Sequence, residues 1–333
     1  LGVVSLNGVG GVIDTTGAKI STGVISGAGS IQKKGSGTLV LTANDYKGNT
    51  TISEGKVQIS SSAALGDGVN SKLVLDGGSL QVVQAANAEV KLAKNAVIGS
   101  SNGTVDVTDG NVSLTGAVSG AGQLIKSGSG TFVLANEKNT FEGGVRIKGG
   151  TLEVGGDGSL GKSGTKVLID GATLAITKDA ELNRQIVLTE KGGTVSVVAN
   201  SEATLTGELA LDSGVIGADF TKAGAGVLNL TQNNTQSAFK GDTFIKEGTL
   251  GINNQDNLAE GKLFLEGGNL RTNSSLNLDK EIVVNTTGGI DTANNDVTVS
   301  SKIQGEGTFV KAGEGTLVLS ADNVYTGGTQ IKG

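Results

Sequence analysis

Apolar side chains occupy every second position in short runs along this chain. Leu39 and Leu41, Phe132 and Leu134, Leu228 and Leu230, and Leu317 and Leu319 fall on one face. Val40, Val133, Asn229 and Val318 take the other. A period of two belongs to the β-strand, whose successive side chains point to opposite faces. Gly-containing turns break the runs about every 20 residues, at Gly35, Gly55 and Gly77 and again at Gly128, Gly150 and Gly171. No segment carries an apolar stripe of helical period and length, and the abundance of Thr, Val, Gly and Asn favours strands and turns.

A longer period overlies the short one. Lys-x-Gly-x-Gly begins at Lys33, Lys126, Lys222 and Lys311, in steps of 93, 96 and 89 residues. A second motif, led by Gly11, Gly103, Gly193 and Gly289, steps by 92, 90 and 96. A third, at 73–80, 167–174 and 263–270, has an acidic residue and Gly at its centre each time. Short strands of near-constant spacing without helices predict an all-β chain: a right-handed parallel β-helix, or β-solenoid, of about 16 rungs of roughly 20 residues. Residues 1–333 are expected to form one continuous helix of about four units of ~93 residues, a rod of about 80 Å. A propeller is the competing architecture, but the ~93-residue unit is about twice a blade and the ~20-residue period suits a solenoid.

Aromatic-x-Gly recurs at Tyr46/Gly48, Phe141/Gly143, Phe239/Gly241 and Tyr325/Gly327, at one offset after each lysine motif. The ring is expected to pack at a corner while Gly lets the backbone bend. The recurring lysines are read as an outward ladder, since exposed lysines also discourage edge-to-edge pairing.

Composition narrows the chemistry. The chain has 56 Gly and no Pro, Cys, Met, Trp or His, so it has neither disulfides nor thiolate metal ligands, and it lacks the usual general base. A net charge of −6 and three scattered arginines, Arg146, Arg184 and Arg271, supply no basic stripe for nucleic acid. No apolar run is long enough to span a bilayer as a helix. Without an initial Met, and breaking off mid-repeat with no capping unit, the chain reads as a piece of a longer protein.

Residues 306–319, Glu-Gly-Thr-Phe-Val-Lys-Ala-Gly-Glu-Gly-Thr-Leu-Val-Leu, continue through Asn323-Val324-Tyr325-Thr326-Gly327-Gly328-Thr329. This stretch resembles the autotransporter-associated β-strand repeat. Similar copies run over 29–59 and 122–154, and a degraded one with a longer spacer over 219–252. The resemblance implies an extracellular passenger on the surface of a Gram-negative bacterium, exported through a C-terminal barrel of its own. It further implies a structural or adhesive stalk whose partners are molecules of host or sister cells, with self-association a further option.

Three tempting motifs reduce to turns. Residues 156–163 satisfy GxxxxGK[ST], but a strand-like Lys166-Val167-Leu168-Ile169 follows where a phosphate loop needs a helix. Gly155-Gly156-Asp157-Gly158 is one incomplete copy of a calcium nonapeptide, too few oxygens for that ion. Glu54, Asp76, Asp170, Glu247 and Glu266 fall at rung turns as solvated residues rather than as a glycosidase pair. No catalytic, metal or cofactor residue is therefore expected, and neither nucleic acid nor membrane insertion by this segment. A glycan-binding or glycan-cleaving β-helix and a toxin-type passenger are the alternatives. The first would need clustered carboxylates and exposed aromatics, and the second an inserting segment.

Overall fold

The computed structural model describes residues 2–233 and 239–333. It is all-β, a right-handed parallel β-helix of about 15 turns. The turn is less uniform than the spacing of glycines implied. Thr38 pairs with Lys56, 18 residues on, whereas Gly193 pairs with Phe220, 27 residues on. The longer spacer of the third copy includes residues 234–238, which lie outside the described residues.

The chain divides into two compact units, 1–167 and 168–333. In the first unit one parallel sheet runs from Gly11–Asp14 through Ile31–Lys34, Thr50–Ile52, Leu73–Leu75 and Ala96–Ile98 to Val118–Ser119. A second runs from Lys19–Ser21 through Thr38–Val40, Lys56–Ile59, Ser79–Val82, Gly103–Val107 and Leu124–Ser127 to Val145–Ile147. The third face holds Glu89–Leu92, Asn111–Leu114, Thr131–Leu134 and Thr151–Val154. The second unit repeats the scheme. Phe220–Ala223 sits in one sheet with Gly193–Val197, Thr243–Ile245, Leu263–Leu265, Ile282–Val284 and Ile303–Gln304. Val227–Leu230 sits in the next with Thr249–Ile252, Asn269–Thr272, Gly288–Asp291 and Phe309–Ala312.

This register shows how the long repeat relates to the turn. Four turns beyond Ile31–Lys34 the same sheet reaches Val118–Ser119, and the next copy of the lysine strand, Leu124–Ser127, lies one face further round. In the second unit, Ile303–Gln304 lies four turns beyond Phe220–Ala223, and the lysine strand Phe309–Ala312 again falls one face on. One repeat is therefore about four and one-third turns, and within each unit it advances by one face.

The core is the stack of inward residues. Leu39, Leu41, Phe132, Leu134, Leu228 and Leu230 are all buried, as their alternation predicts. Leu317 and Leu319 share that parity but are half-exposed, because no further turn of this chain covers them. Tyr46, Phe141 and Phe239 are buried at corners, again as expected.

The lysines overturn their expected placement. Lys33, Lys126 and Lys222 are fully buried, not outward. Each takes an inward position in its ladder: Lys33 between Ile13 and Ile52, Lys126 between Val105 and Ile147, Lys222 between Val195 and Ile245. The physical reason is that the four-carbon stem packs as an aliphatic chain while its ammonium meets carbonyls at the corner.

Candidate functional site

The lysine-capped turn is the most regular polar constellation in the molecule. Lys126 Nζ donates to the carbonyls of Ser127, Gly128 and Gly149 at 2.8, 2.9 and 3.0 Å. Lys33 donates to Lys34, Gly35 and Glu54 at 2.7, 2.6 and 3.1 Å, and Lys222 to Ala223, Gly224 and Glu247 at 2.8, 2.6 and 3.1 Å. Two acceptors belong to the lysine's own turn and one to the next turn of the helix. Glycine makes this close approach possible. Gly150 has φ +60, and a Cβ there would lie 2.4 Å from Gly130 O and 2.6 Å from Gly128 O. The left-handed residue swings carbonyls away from the strand ladder, and an ammonium's three N–H groups satisfy them.

Burial pushes Lys126 and Lys222 down to about 8, opposed in part by the carboxylates of Asp106 and Glu247. Between about 8 and the ordinary 10.5, the unfolded chain holds protons that the folded chain has released, so stability rises with pH across that window. Tyr46, pushed up to about 12 by burial, acts the other way: above 10.0 the unfolded phenol ionises first and stability falls. Urea midpoints should therefore rise between about pH 8 and pH 10.5 and then decline. The rise should shrink in a Lys126→Met/Lys222→Met double variant to the part contributed by Lys33, Lys94 and Lys280, which burial also lowers. An unchanged rise in that variant would assign it to other groups.

A second corner device escaped the sequence reading. Asn44, two residues before Tyr46, accepts the Ile25 N–H at 2.8 Å and donates to Thr42 O and Ala64 O, both at 2.8 Å. Asn139, two before Phe141, accepts from Val118 and donates to Asn136 O and Ser159 O. Asn323, two before Tyr325, accepts from Ile303. The recurring Asn-x-aromatic was the available signal. The aromatic slot also carries a partner four residues on. Tyr46 Oη lies 2.5 Å from Thr50 Oγ1, and Tyr325 Oη 2.6 Å from Thr329 Oγ1. Phe141 is matched by Val145, but Phe239 is matched by Thr243, whose buried hydroxyl has no hydrogen-bond partner among the described residues. Thr243→Val, which copies the Phe141/Val145 pair, should raise the unfolding free energy by about 1 kcal/mol in urea titration. A loss of stability would mean that the hydroxyl is satisfied in solution.

The remaining motifs fall where turns were expected. Asp157–Leu160 is a single 3-10 turn, and the strand Val167–Ile169 follows. The backbone N–H of Lys162 is committed to Phe141 O at 2.9 Å, and its Nζ pairs with Glu142 at 3.2 Å. Glu54 accepts the Gly35 N–H, Asp76 the Ser101 N–H, and Asp170 meets Thr189 and Lys191. These carboxylates cap turns. Among the described residues no group of three or more acidic side chains could hold a metal ion.

Three features were not visible in the sequence. Phe244 and Phe264 face outward, half-buried, with ring centroids 4.5 Å apart and planes inclined by 13°. Stacked along the ladder, each ring covers one face of the other. Clefts also recur beneath one loop of the repeat. In the first unit a cleft of about 560 Å³ opens between loop 62–72 and segment 91–95. In the second unit a cleft of about 350 Å³ lies between 255–260 and 279–280. A basic residue of the next turn clips each loop: Lys94 Nζ donates to Gly68 O at 3.3 Å and to Ser71 Oγ, and Lys280 Nζ donates to Ala259 O at 2.5 Å. A surface ion pair recurs with its charges exchanged, Lys47–Asp67 in one copy and Glu142–Lys162 in the next.

Comparison with known proteins agrees with this construction. The passenger-associated-transport-repeat family matches residues 31–59, 124–154, 220–252 and 309–333. Each match spans a lysine motif and its aromatic corner. The chain is 31% identical over 208 residues to "Adhesin BmaC autotransporter" of Brucella suis biovar 1 (strain 1330), covering 62% of this chain and 6% of that protein. It is 28% identical over 274 residues to "Probable autotransporter YfaL" of Escherichia coli (strain K12), covering 71% of this chain and 22% of that protein. The chain thus spans less than a quarter of either relative. No solved structure matches it.

Proposed function

This chain carries the repeats of autotransporter passengers, and from that premise we propose that it is a non-enzymatic stalk exposed on a Gram-negative cell surface, adhesive to host or sister cells. The observation that carries the reading is the fourfold repeat itself. Its recurring parts, the capped lysine, the corner asparagine and the buried ring, all serve stacking of turns, and none is presented to a substrate. The relative whose printed name is that of an adhesin supports the adhesive half. Absence of His leaves no ordinary general base, which supports the non-enzymatic half.

We further propose that residues 1–333 continue as one β-helix. The motif at 167–174 keeps its spacing across the junction of the two units, matching 73–80 and 263–270. With strands about 4.8 Å apart, about 15 turns should measure roughly 70 Å by electron microscopy. Two bodies joined by a bend would refute continuity.

The adhesive reading is tested by display. The chain is fused to an outer-membrane barrel in a non-adherent Gram-negative host, and attachment to epithelial cells and clumping in liquid culture are counted. A gain in either is expected, because many weak contacts along a surface add up. No gain in either, with surface display confirmed by antibody, would leave a spacer without adhesive activity.

A further inference from the structure

We infer that the cleft between loop 62–72 and segment 91–95 binds a saccharide bearing a carboxylate, through Lys72, Lys91 and Lys94. The inference deepens the adhesive reading and rests on it for its biological meaning. Three observations carry it.

The first is charge. The cleft is lined by Lys72, Lys91 and Lys94 against Asp67 alone, in a chain of net charge −6. Asp67 is itself engaged with Lys47 at 2.6 Å. The corresponding cleft of the second unit has the opposite sign, with Asp256, Glu260 and Asp279 around Lys280. The fold therefore does not require a basic cleft. It requires only the clip, which Lys94 and Lys280 supply in both copies.

The second is the loss of a partner. Lys72 and Lys262 stand immediately before equivalent strands, Leu73–Leu75 and Leu263–Leu265. Lys262 pairs with Glu281 at 3.0 Å, but the position that follows the clip in the first unit is Asn95, not a carboxylate. Asn95 Oδ1 accepts the Ala117 N–H at 2.9 Å, which leaves its NH2 as a donor beside Lys72. Lys91 is held only by an exposed contact of 3.4 Å to Glu89, and Lys94, lowered by burial, keeps donors directed at the loop.

The third is shape. The loop from Leu65 to Leu73 is longer than its counterparts from Leu160 to Val167 and from Leu258 to Leu263, and the cleft beneath it lies within the size range of ligand pockets. Val69 and Ala93, both exposed, give it apolar surface for the C–H face of a sugar, while Ser62, Asn70 and Asn95 supply groups for hydroxyls. Ammonium groups and amides on both the loop and the facing segment suit a sugar acid better than a neutral sugar or a bare anion.

Calorimetry on the 333-residue chain tests this with four probes: N-acetylneuraminic acid, glucuronic acid, galactose and inorganic phosphate. Saturable binding of at least one sugar acid is expected, weakened about tenfold in Lys72→Gln and in Lys91→Gln, with no saturable binding of galactose or phosphate. Preference between the two acids separates a sialylated host surface from a uronate polymer such as a capsule. Equal binding of phosphate reduces the cleft to a general anion site and overturns the inference, as does failure of both acids to bind. Neither lysine makes a core contact, so circular dichroism should show both variants folded. Sugar-acid binding without cell attachment would uphold the cleft and remove the adhesive reading. Attachment by the parent chain, with no sugar-acid heat from that chain, would do the reverse.

Discussion

Leu134→Asp should lower the unfolding free energy by about 5 kcal/mol or more, the largest effect expected of any single substitution named for this chain. Leu134 is fully buried, in register between Leu114 and Val154 on the turns to either side. Deleting a buried leucine costs about 2–5 kcal/mol through lost transfer energy and the residual cavity. The carboxyl adds the penalty of a polar group with no partner, met in part by taking up a proton. Val133, one residue earlier, is the control, because Asn229 occupies the same slot in the third copy. Val133→Asn should change stability by no more than about 1 kcal/mol. Urea unfolding followed by circular dichroism distinguishes the two, and equal losses would place the parity of the strand Thr131–Leu134 in error.

Lys126→Met should cost about 3 kcal/mol or more. The thioether retains most of the stem's volume, so little packing is lost. The loss falls on the donor to three carbonyls, those of Ser127, Gly128 and Gly149. Each buried acceptor left unpaired costs about 1–3 kcal/mol, and relief from burying an ammonium offsets part of the sum. Lys138→Met, at an exposed position, should stay within about 0.5 kcal/mol of the parent. Because a solenoid transmits stability mainly between neighbouring turns, hydrogen exchange should accelerate first at the ladder partners Val105 and Ile147. An unaffected midpoint would mean that water replaces the lysine at this corner.

The strands were legible because parity is a strong signal when one face is buried. Leu39 and Leu41 could hardly be assigned otherwise, and the glycine turns delimited them. The same parity held the answer for the lysines. Lys33 stands two residues from Ile31, Lys126 two from Leu124 and Lys222 two from Phe220, all buried. Charge argued for the outside, and charge was the weaker guide, since a long stem lets one residue belong to both core and corner. The asparagines were obscured for a related reason: Asn in a Gly-rich chain reads first as a turn former. The clefts were not legible at all. They arise from a loop on one turn and a segment on the next, about 25 residues apart, and their charge means something only once two copies are compared in space.

The mismatch between repeat and turn governs how such a chain can change length. If one repeat were a whole number of turns, gaining or losing a copy would only move the distal surface outward or inward. At about four and one-third turns, each copy also rotates every later turn by roughly a third of a revolution. Unequal recombination between copies would therefore swing a distal ligand cleft to a new azimuth while leaving every buried contact type intact. Three copies gained or lost together would restore the original heading. On the continuous helix proposed above, length and aim are geared to one another, and a change of repeat number is also a change of bearing.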